Sequence, residues 1–283
     1  MMRDFSKCQP STKYYTGAER KTGIIIKNEN YIMKFRRNSP YGLTYNHVSE
    51  YVGSHIFELA GLLTQQTFLG TYQGEEVVVL KDFTTETEVF VPFNDVGDSS
   101  LDMDRERVQY EYEDIMTMLE ANVKLTQVAE TVDAFWDMFI LDALTGNFDR
   151  HGSNWGFLKK QNEYRLAPVF DNGSCLFPKI VTDRQCEEII NSSEEREKRV
   201  YLFPTSQIKL DGKKSSYYDV IASHRFAECD QALERVVKRL DFSEVLALVG
   251  TLDFMSETRK KFLAVMLEER YEKLLLQPYK GGV

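Results

Sequence analysis

The chain has 283 residues, 42% hydrophobic and 28% charged, an ordinary globular mixture with material for one large or two modest domains. Its formal net charge of −9 argues against direct affinity for nucleic acid or for an anionic membrane surface. The four cysteines, Cys8, Cys175, Cys186 and Cys229, stand far apart without a C-x2-C pair, so neither a zinc site nor a disulfide scaffold is indicated. No apolar leader and no membrane-length apolar run occurs, and a cytoplasmic protein is expected, with secretion as an effector left open.

In chain order, a glycine-punctuated polar stretch from Thr16 to Gly23 runs into Ile24-Ile25-Ile26-Lys27 and then Tyr31-Ile32-Met33-Lys34-Phe35. The two apolar runs predict a β-hairpin turned at Asn28-Glu29-Asn30. A flexible loop entering a hairpin can lay backbone N–H groups over phosphates, and Lys21 lies close by. Strand alternation puts Ile32, Lys34 and Arg36 on one face and Tyr31, Met33 and Phe35 on the other. A lysine in such a strand either snorkels to solvent or meets an anion. Apolar residues at three-to-four spacing then predict a helix from Asn46 to Leu62, stopped at Gly61, with Glu50 near its start. A strand lysine and a helix glutamate are the pair with which protein kinases fix the group that binds nucleotide phosphates. A second hairpin, Thr67–Tyr72 and Glu76–Leu80 turned at Gln73-Gly74, leads into Lys81-Asp82-Phe83. A buried strand passing into an exposed connector is where a bilobal kinase places its adenine-binding hinge, which puts a lobe boundary near residue 84.

Thr84 to Asp102 is polar and aperiodic and reads as a loop. Helical spacing returns over Arg105–Asn122 and Thr126–Leu144. The second of these is the most apolar stretch and is expected at the centre of a larger lobe. Asp142 near its C-terminal end opposes the helix dipole, a hint of a role outside the helix.

Gly146 stops that helix and delivers Asn147-Phe148-Asp149-Arg150-His151-Gly152-Ser153-Asn154 as a loop. Trp155–Leu158 and Tyr164–Ala167 then form a strand pair, and Pro168-Val169-Phe170-Asp171 closes it. Asp149 and Asn154 therefore flank one end of a hairpin whose other end carries Asp171. Phosphoryl transfer to a hydroxyl needs one carboxylate to orient the acceptor, and an amide oxygen with a second carboxylate to hold magnesium. Protein kinases space the base Asp and the metal Asn by the same five residues. Turns also use Asp, Asn, Gly and Ser, so the spacing alone does not decide.

Thr16-Gly17-Ala18-Glu19-Arg20-Lys21-Thr22, Ile32-Met33-Lys34-Phe35, Asn147 through Asn154 and Pro168-Val169-Phe170-Asp171 together resemble the ordered motif series of the HipA-like serine/threonine kinases. The resemblance covers roughly residues 14 to 175. It implies an α+β, bilobal protein-kinase-like fold, with a small β-rich N-lobe over 1–84 and a mostly helical C-lobe over 85–283. It further implies that Asp149 is the catalytic carboxylate and that Asn154 and Asp171 hold Mg2+. ATP would be bound by Lys34 (fixed by Glu50), by the Gly17, Ala18 and Lys21 loop, and by Leu80 and Asp82 at the hinge. His151 would prop the catalytic loop. The substrate would be a protein, an aminoacyl-tRNA synthetase being a frequent target in the family, and an antitoxin or an N-subdomain-like protein is an implied separate partner. The serine that toxin members autophosphorylate just before the loop has no counterpart in place, where Tyr14, Tyr15 and Thr16 stand. The pattern leaves two other readings open, a lipid or small-molecule kinase of the phosphoinositide-kinase lineage and a nucleotide-binding protein without catalysis.

Past Asp171, a charge-rich helix is expected over Ile180–Tyr201, a polar loop over Pro204–Ser216, and amphipathic helices over Phe226–Leu240, Phe242–Leu252 and Ser256–Leu276, the last capped by Ser256.

Overall fold

The computed structural model describes residues 2–15, 19–96, 110–111 and 128–281. Strands β1 (Arg3–Asp4), β2 (Gln9–Pro10), β3 (Lys21–Ile26), β4 (Glu29–Phe35), β5 (Thr67–Tyr72) and β6 (Glu75–Lys81) join in one sheet of order β1-β5-β6-β4-β3-β2. The hairpins turn at Lys27-Asn28 (φ 51° and 64°) and Gln73-Gly74 (φ 51° and 84°). Paired left-handed residues match the natural strand twist, so the first turn falls one residue earlier than expected and Glu29 already belongs to the strand. The two faces separate as the alternation requires. Tyr31, Met33 and Phe35 pack with Phe5, Ile24, Val77 and Val79, whereas Val78, Leu80 and Ile32 join the main core.

Helix α1 (Asn46–Leu59) packs on β5 and β6 and stops before Gly61, which takes φ +84°. Next come β7 (Val89–Pro92), a single helical turn Phe93–Val96, α2 (Val128–Thr145), β8 (Gly156–Lys160) and β9 (Glu163–Leu166). Strands β9, β8 and β7 form a second sheet, so part of the stretch from Thr84 expected to be loop is strand. Val89-Phe90-Val91 is too short a run to signal a strand by itself; the open edge of β8 supplies the partner. Most of the expected helix over 105–122 lies outside the described residues, but Tyr110–Glu111 within it is a short strand, paired in parallel with Ile208 and Lys209. In α2, Trp136, Ile140, Leu141 and Leu144 are wholly buried, which places this helix at the centre of the core.

Beyond the hairpin, the single helix expected from Ile180 is broken into α3 (Asp183–Ile190), Ser193–Glu197 and a wider turn, Lys198–Leu202. The break arises because Thr182 and Ser192 each cap a new N-terminus, accepting from the backbone N–H of Gln185 and Glu195 at 3.2 Å. The polar stretch from Pro204 is not a loop. It forms β10 (Thr205–Leu210) and β11 (Lys213–Ser216), turned at Asp211-Gly212 with both residues left-handed. Buried Ser206 and Ile208 supply the period-two signal that polar composition masked. Then come α4 (Tyr217–Ala222), α5 (Ala227–Arg239), α6 (Phe242–Gly250) and α7 (Glu257–Arg270), the last capped by Ser256 as expected and continued by a wider turn, Tyr271–Leu276, and a final helical turn, Gln277–Gly281. The four cysteines form no disulfide, and among the described residues no helix is long and apolar enough to cross a membrane.

Candidate active site

Lys34 stands on the inner face of β4, 9% exposed, and it does meet anions. Its Nζ donates to Glu50 Oε2 at 2.9 Å and to Asp171 Oδ1 at 2.7 Å. Glu50, in α1 and 1% exposed, accepts with its other oxygen from the backbone N–H of Asn172 at 2.9 Å. One ammonium thus ties strand, helix and the Asp171 loop together. Burial works against the charged lysine, but the carboxylates of Asp171 and Glu50 outweigh it and hold its pKa above the ordinary lysine value. Burial likewise opposes the Asp171 carboxylate, and the Lys34 ammonium overcomes this and holds its pKa below the usual aspartate range. Asp171 sits at φ +56°, a left-handed conformation that aspartate tolerates better than most residues and that turns its carboxylate toward the lysine.

These shifts fix a pH dependence. The depressed Asp171 contributes stability that is fully present above its unfolded pKa of about 3.9 and is lost as pH falls through its lower folded value. The raised Lys34 contributes stability present below its unfolded pKa of about 10.4 and lost as pH rises through its folded value. The difference in Tm between wild type and Asp171→Asn is therefore expected to be constant from about pH 6 to 8 and to shrink below about pH 4. A thermal-shift series across that range measures it; a difference that widens in acid would contradict the ion pair.

The loop after α2 is built around a buried guanidinium. Arg150 donates through Nε to Asp142 Oδ2 at 2.9 Å and through Nη2 to Asp142 Oδ1 at 3.1 Å and Asn172 Oδ1 at 2.5 Å. Its Nη1 donates to the carbonyls of Asn154 at 3.0 Å and Phe170 at 2.5 Å. Burial disfavours this charge, but Asp142 outweighs burial and raises the pKa further. Asp142 also accepts from Asn147 Nδ2 at 2.8 Å, which gives the ill-placed helix-end carboxylate its role. Asp149 is then set through its backbone. Its N–H donates to Asn147 Oδ1 at 3.0 Å, and its carbonyl accepts from the His151 N–H at 2.9 Å and from Asn154 Nδ2 at 2.9 Å. His151 props the turn, with Nδ1 accepting from the Ser153 N–H at 3.3 Å and Nε2 lying 3.9 Å from Asp149 Oδ1.

Lys34, Lys21, Asp149, His151, Asn154 and Asp171 all line one cleft of about 1550 Å3. Lys21 lies opposite Lys34 in the β3–β4 register, and burial, then the neighbouring Lys34 charge, lower its pKa. Asp82 also lines the cleft, but its carboxylate is engaged by Lys13 Nζ (2.6 Å), Tyr15 OH (2.7 Å) and the Thr84 N–H (2.8 Å), so it straps residues 13–15 to the connector. Leu80 does not line the cleft; its side chain is buried in the main core. Gly17 and Ala18 lie outside the described residues.

The sequence of residues 14–244 matches the HipA-like C-terminal domain. The chain is also 36% identical over 281 residues, 96% of its length and 86% of the relative's, to the serine/threonine-protein kinase CtkA of Helicobacter pylori strain J99. The chain belongs to the HipA-like serine/threonine kinase family. The crystal structure of the H. pylori proinflammatory kinase CtkA superposes with a TM-score of 0.88 at 34% identity, covering 99% of this chain and 98% of that one. HipA of Shewanella oneidensis MR-1, solved with HipB and operator DNA, shares the fold at a TM-score of 0.56 and 12% identity, covering 97% of this chain and 66% of that one. The α+β kinase-like architecture is thus that of the HipA-like enzymes.

Several residues of this HipA-like cleft escaped the sequence reading. Arg150 had no role of its own within the Asn147–Asn154 motif and Asn172 lay outside the motifs, although they join the 147–154 loop to the Asp171 loop. Phe83, Phe90 and Phe170 gather at the cleft with ring centroids 5.5 Å (Phe83–Phe170), 5.0 Å (Phe90–Phe170) and 6.0 Å (Phe83–Phe90) apart. They come from three separate segments; Phe83 stood in the expected hinge connector and Phe170 beside Asp171, and Phe90 had no local signal. Glu19 reaches within 3.6 Å of Lys34 Nζ and pairs with Arg37.

Proposed function

We propose that this serine/threonine kinase transfers the γ-phosphate of ATP to a hydroxyl of a protein substrate in the cleft between Lys34 and Asp149. The observation that carries this reading is the 2.7 Å contact between Lys34 and Asp171, which joins a phosphate-binding cation and a metal-binding carboxylate in the cleft that Asp149 lines. Asp149 accepts or orients the proton of the acceptor hydroxyl. Lys34, held by Glu50, and Lys21 place positive charge along the phosphates. The three phenylalanines offer faces and edges for an adenine ring next to the connector at Asp82-Phe83. We place the boundary between the lobes there, near residue 84.

The donor set fits magnesium. Among the described residues, Asn154 Oδ1 and Asp171 Oδ2 accept no protein hydrogen bond, whereas Asn154 Nδ2 is committed to the Asp149 carbonyl. Two hard oxygen donors completed by phosphate and water are what Mg2+ takes, and none of the described residues form a cage of three or more His, Cys, Asp or Glu. Bound there, the ion would neutralise charge on the β- and γ-phosphates.

Incubation with γ-labelled ATP and Mg2+ and a protein acceptor tests the reading: label on serine or threonine is expected, and nucleotide binding without turnover would contradict it. Lys34→Ala is expected to weaken nucleotide binding roughly tenfold or more, about 1.4 kcal/mol. A fluorescent-nucleotide titration measures this; unchanged affinity would remove Lys34 from the site.

A further inference from the structure

Immediately beside the catalytic loop, a groove of about 330 Å3 opens on the C-lobe surface, and its lining is far more apolar than that of the nucleotide cleft. Phe148, the residue before Asp149, lines it together with Phe177, Pro178, Ile180 and Phe203. The Phe148 and Phe203 rings touch, tilted by 28° with centroids 6.1 Å apart, and Phe203 remains 48% exposed. Lys179, exposed at the rim, holds Nζ 4.9 Å from the centre of the Phe148 ring.

The groove is built at a cost in backbone and burial energy. Leu176 and Phe177 adopt φ +57° and +53°, a region bulky residues avoid, five and six residues after Asp171. Such outliers persist where the surroundings enforce them, and they cluster at functional sites. The backbone that lines it is held at two places by buried arginines of α7 that have no carboxylate partner among the described residues. Arg259 donates to the Ile180 carbonyl on one side. Arg270 donates to the carbonyls of Arg199, Phe203 and Ala143 on the other. Burial pulls the two pKa values down to about 10 and about 9, so both remain charged at neutral pH while forgoing an ion pair.

We propose that this groove seats a large apolar side chain of the acceptor polypeptide, within a few residues of the serine or threonine presented to Asp149. The inference rests on Asp149 being the catalytic carboxylate, and the groove's continuity with Asp149 through Phe148 is what assigns it to the acceptor. Because Phe148 directly precedes Asp149, a chain whose hydroxyl is presented to Asp149 has this groove as a neighbouring apolar surface to bury a side chain in. A partly exposed aromatic surface beside a shallow apolar groove is the kind of site that anchors an apolar side chain, with the exposed Lys179 adding reach to an acidic neighbour.

The test uses the full chain with a serine/threonine-centred peptide library of degenerate flanks, ATP and Mg2+, with ATP turnover recorded in parallel. Wild type is expected to select Phe, Leu, Met or Trp at one fixed position near the acceptor. Phe203→Ser is expected to raise KM for the selected peptide about tenfold to thirtyfold, with the loss on peptide KM and not on ATP KM, and Phe203→Leu to restore most of it. ATP turnover without apolar selection, or without any peptide phosphorylated, overturns the groove assignment alone. No ATP turnover at all overturns the reading of the cleft, and the groove assignment with it. If Phe203→Ser changes the solution mass and leaves peptide KM unchanged, the groove joins two copies of the chain and the proposal is wrong.

Discussion

Asp149→Asn is expected to bind nucleotide with near wild-type affinity and to lose about 10²- to 10⁴-fold in kcat, the usual share of a positioned general base. The asparagine keeps the size of the side chain and removes its proton-accepting charge. The loop itself is held by bonds from the backbone of residue 149 to Asn147, His151 and Asn154, which the substitution leaves in place. Tm is therefore expected within about 2 °C of wild type, equivalent to about 1 kcal/mol for a chain of this size. Single-turnover transfer from labelled ATP, paired with a thermal scan, separates the two effects. A variant with near-normal kcat would take the base role away from Asp149.

Arg150→Met carries the largest expected loss of stability, about 3–5 kcal/mol, because it removes one partner of a buried charge pair. Asp142 is 1% exposed and would keep only its bond from Asn147, and Asn172 Oδ1 would lose its donor. The carbonyls of Asn154 and Phe170 would be orphaned too, loosening both loops that line the cleft. Against a typical total of 5–15 kcal/mol this is a large fraction, so activity at 37 °C is expected to fall with it. Chemical denaturation monitored at Trp136 and Trp155 gives the number. Replacing Asp142 as well, in Arg150→Met/Asp142→Leu, is expected to recover part of the loss by removing the stranded carboxylate. A single-variant cost under about 1 kcal/mol would show that the network is not what holds the loops.

Chemistry-bearing residues were legible where function departs from local economy. Lys34 in an apolar strand and Asp142 at the wrong end of a helix both break simple rules, and both turn out to be held by buried ion pairs. The first two hairpins and α1 followed from alternation, glycine turns and helical period, since these are local signals. What escaped was non-local. Strand Val89–Pro92 exists because β8 has an edge to fill, and its four residues carry no independent pattern. The Thr205–Ser216 hairpin was hidden by serines and lysines, although Asp211-Gly212 marked its turn. The three phenylalanines at the cleft meet only after folding, and Arg150 looked like an ordinary charge until burial showed that it has five acceptors. Leu80 is a different case: likeness to kinases placed it at a hinge that pairs through backbone groups, and strand alternation sends its side chain into the core.

The convergence of Lys34, Asp149, Asn154 and Asp171 on one metal-bound triphosphate is tested most directly by a crystal grown with a non-hydrolysable ATP analogue and Mn2+. An anomalous peak is expected within about 2.5 Å of both Asn154 Oδ1 and Asp171 Oδ2, with phosphate oxygens on Lys34 Nζ and the γ-phosphate facing Asp149. Manganese bound away from these two oxygens, or a nucleotide seated outside the Lys34 cleft, would contradict it.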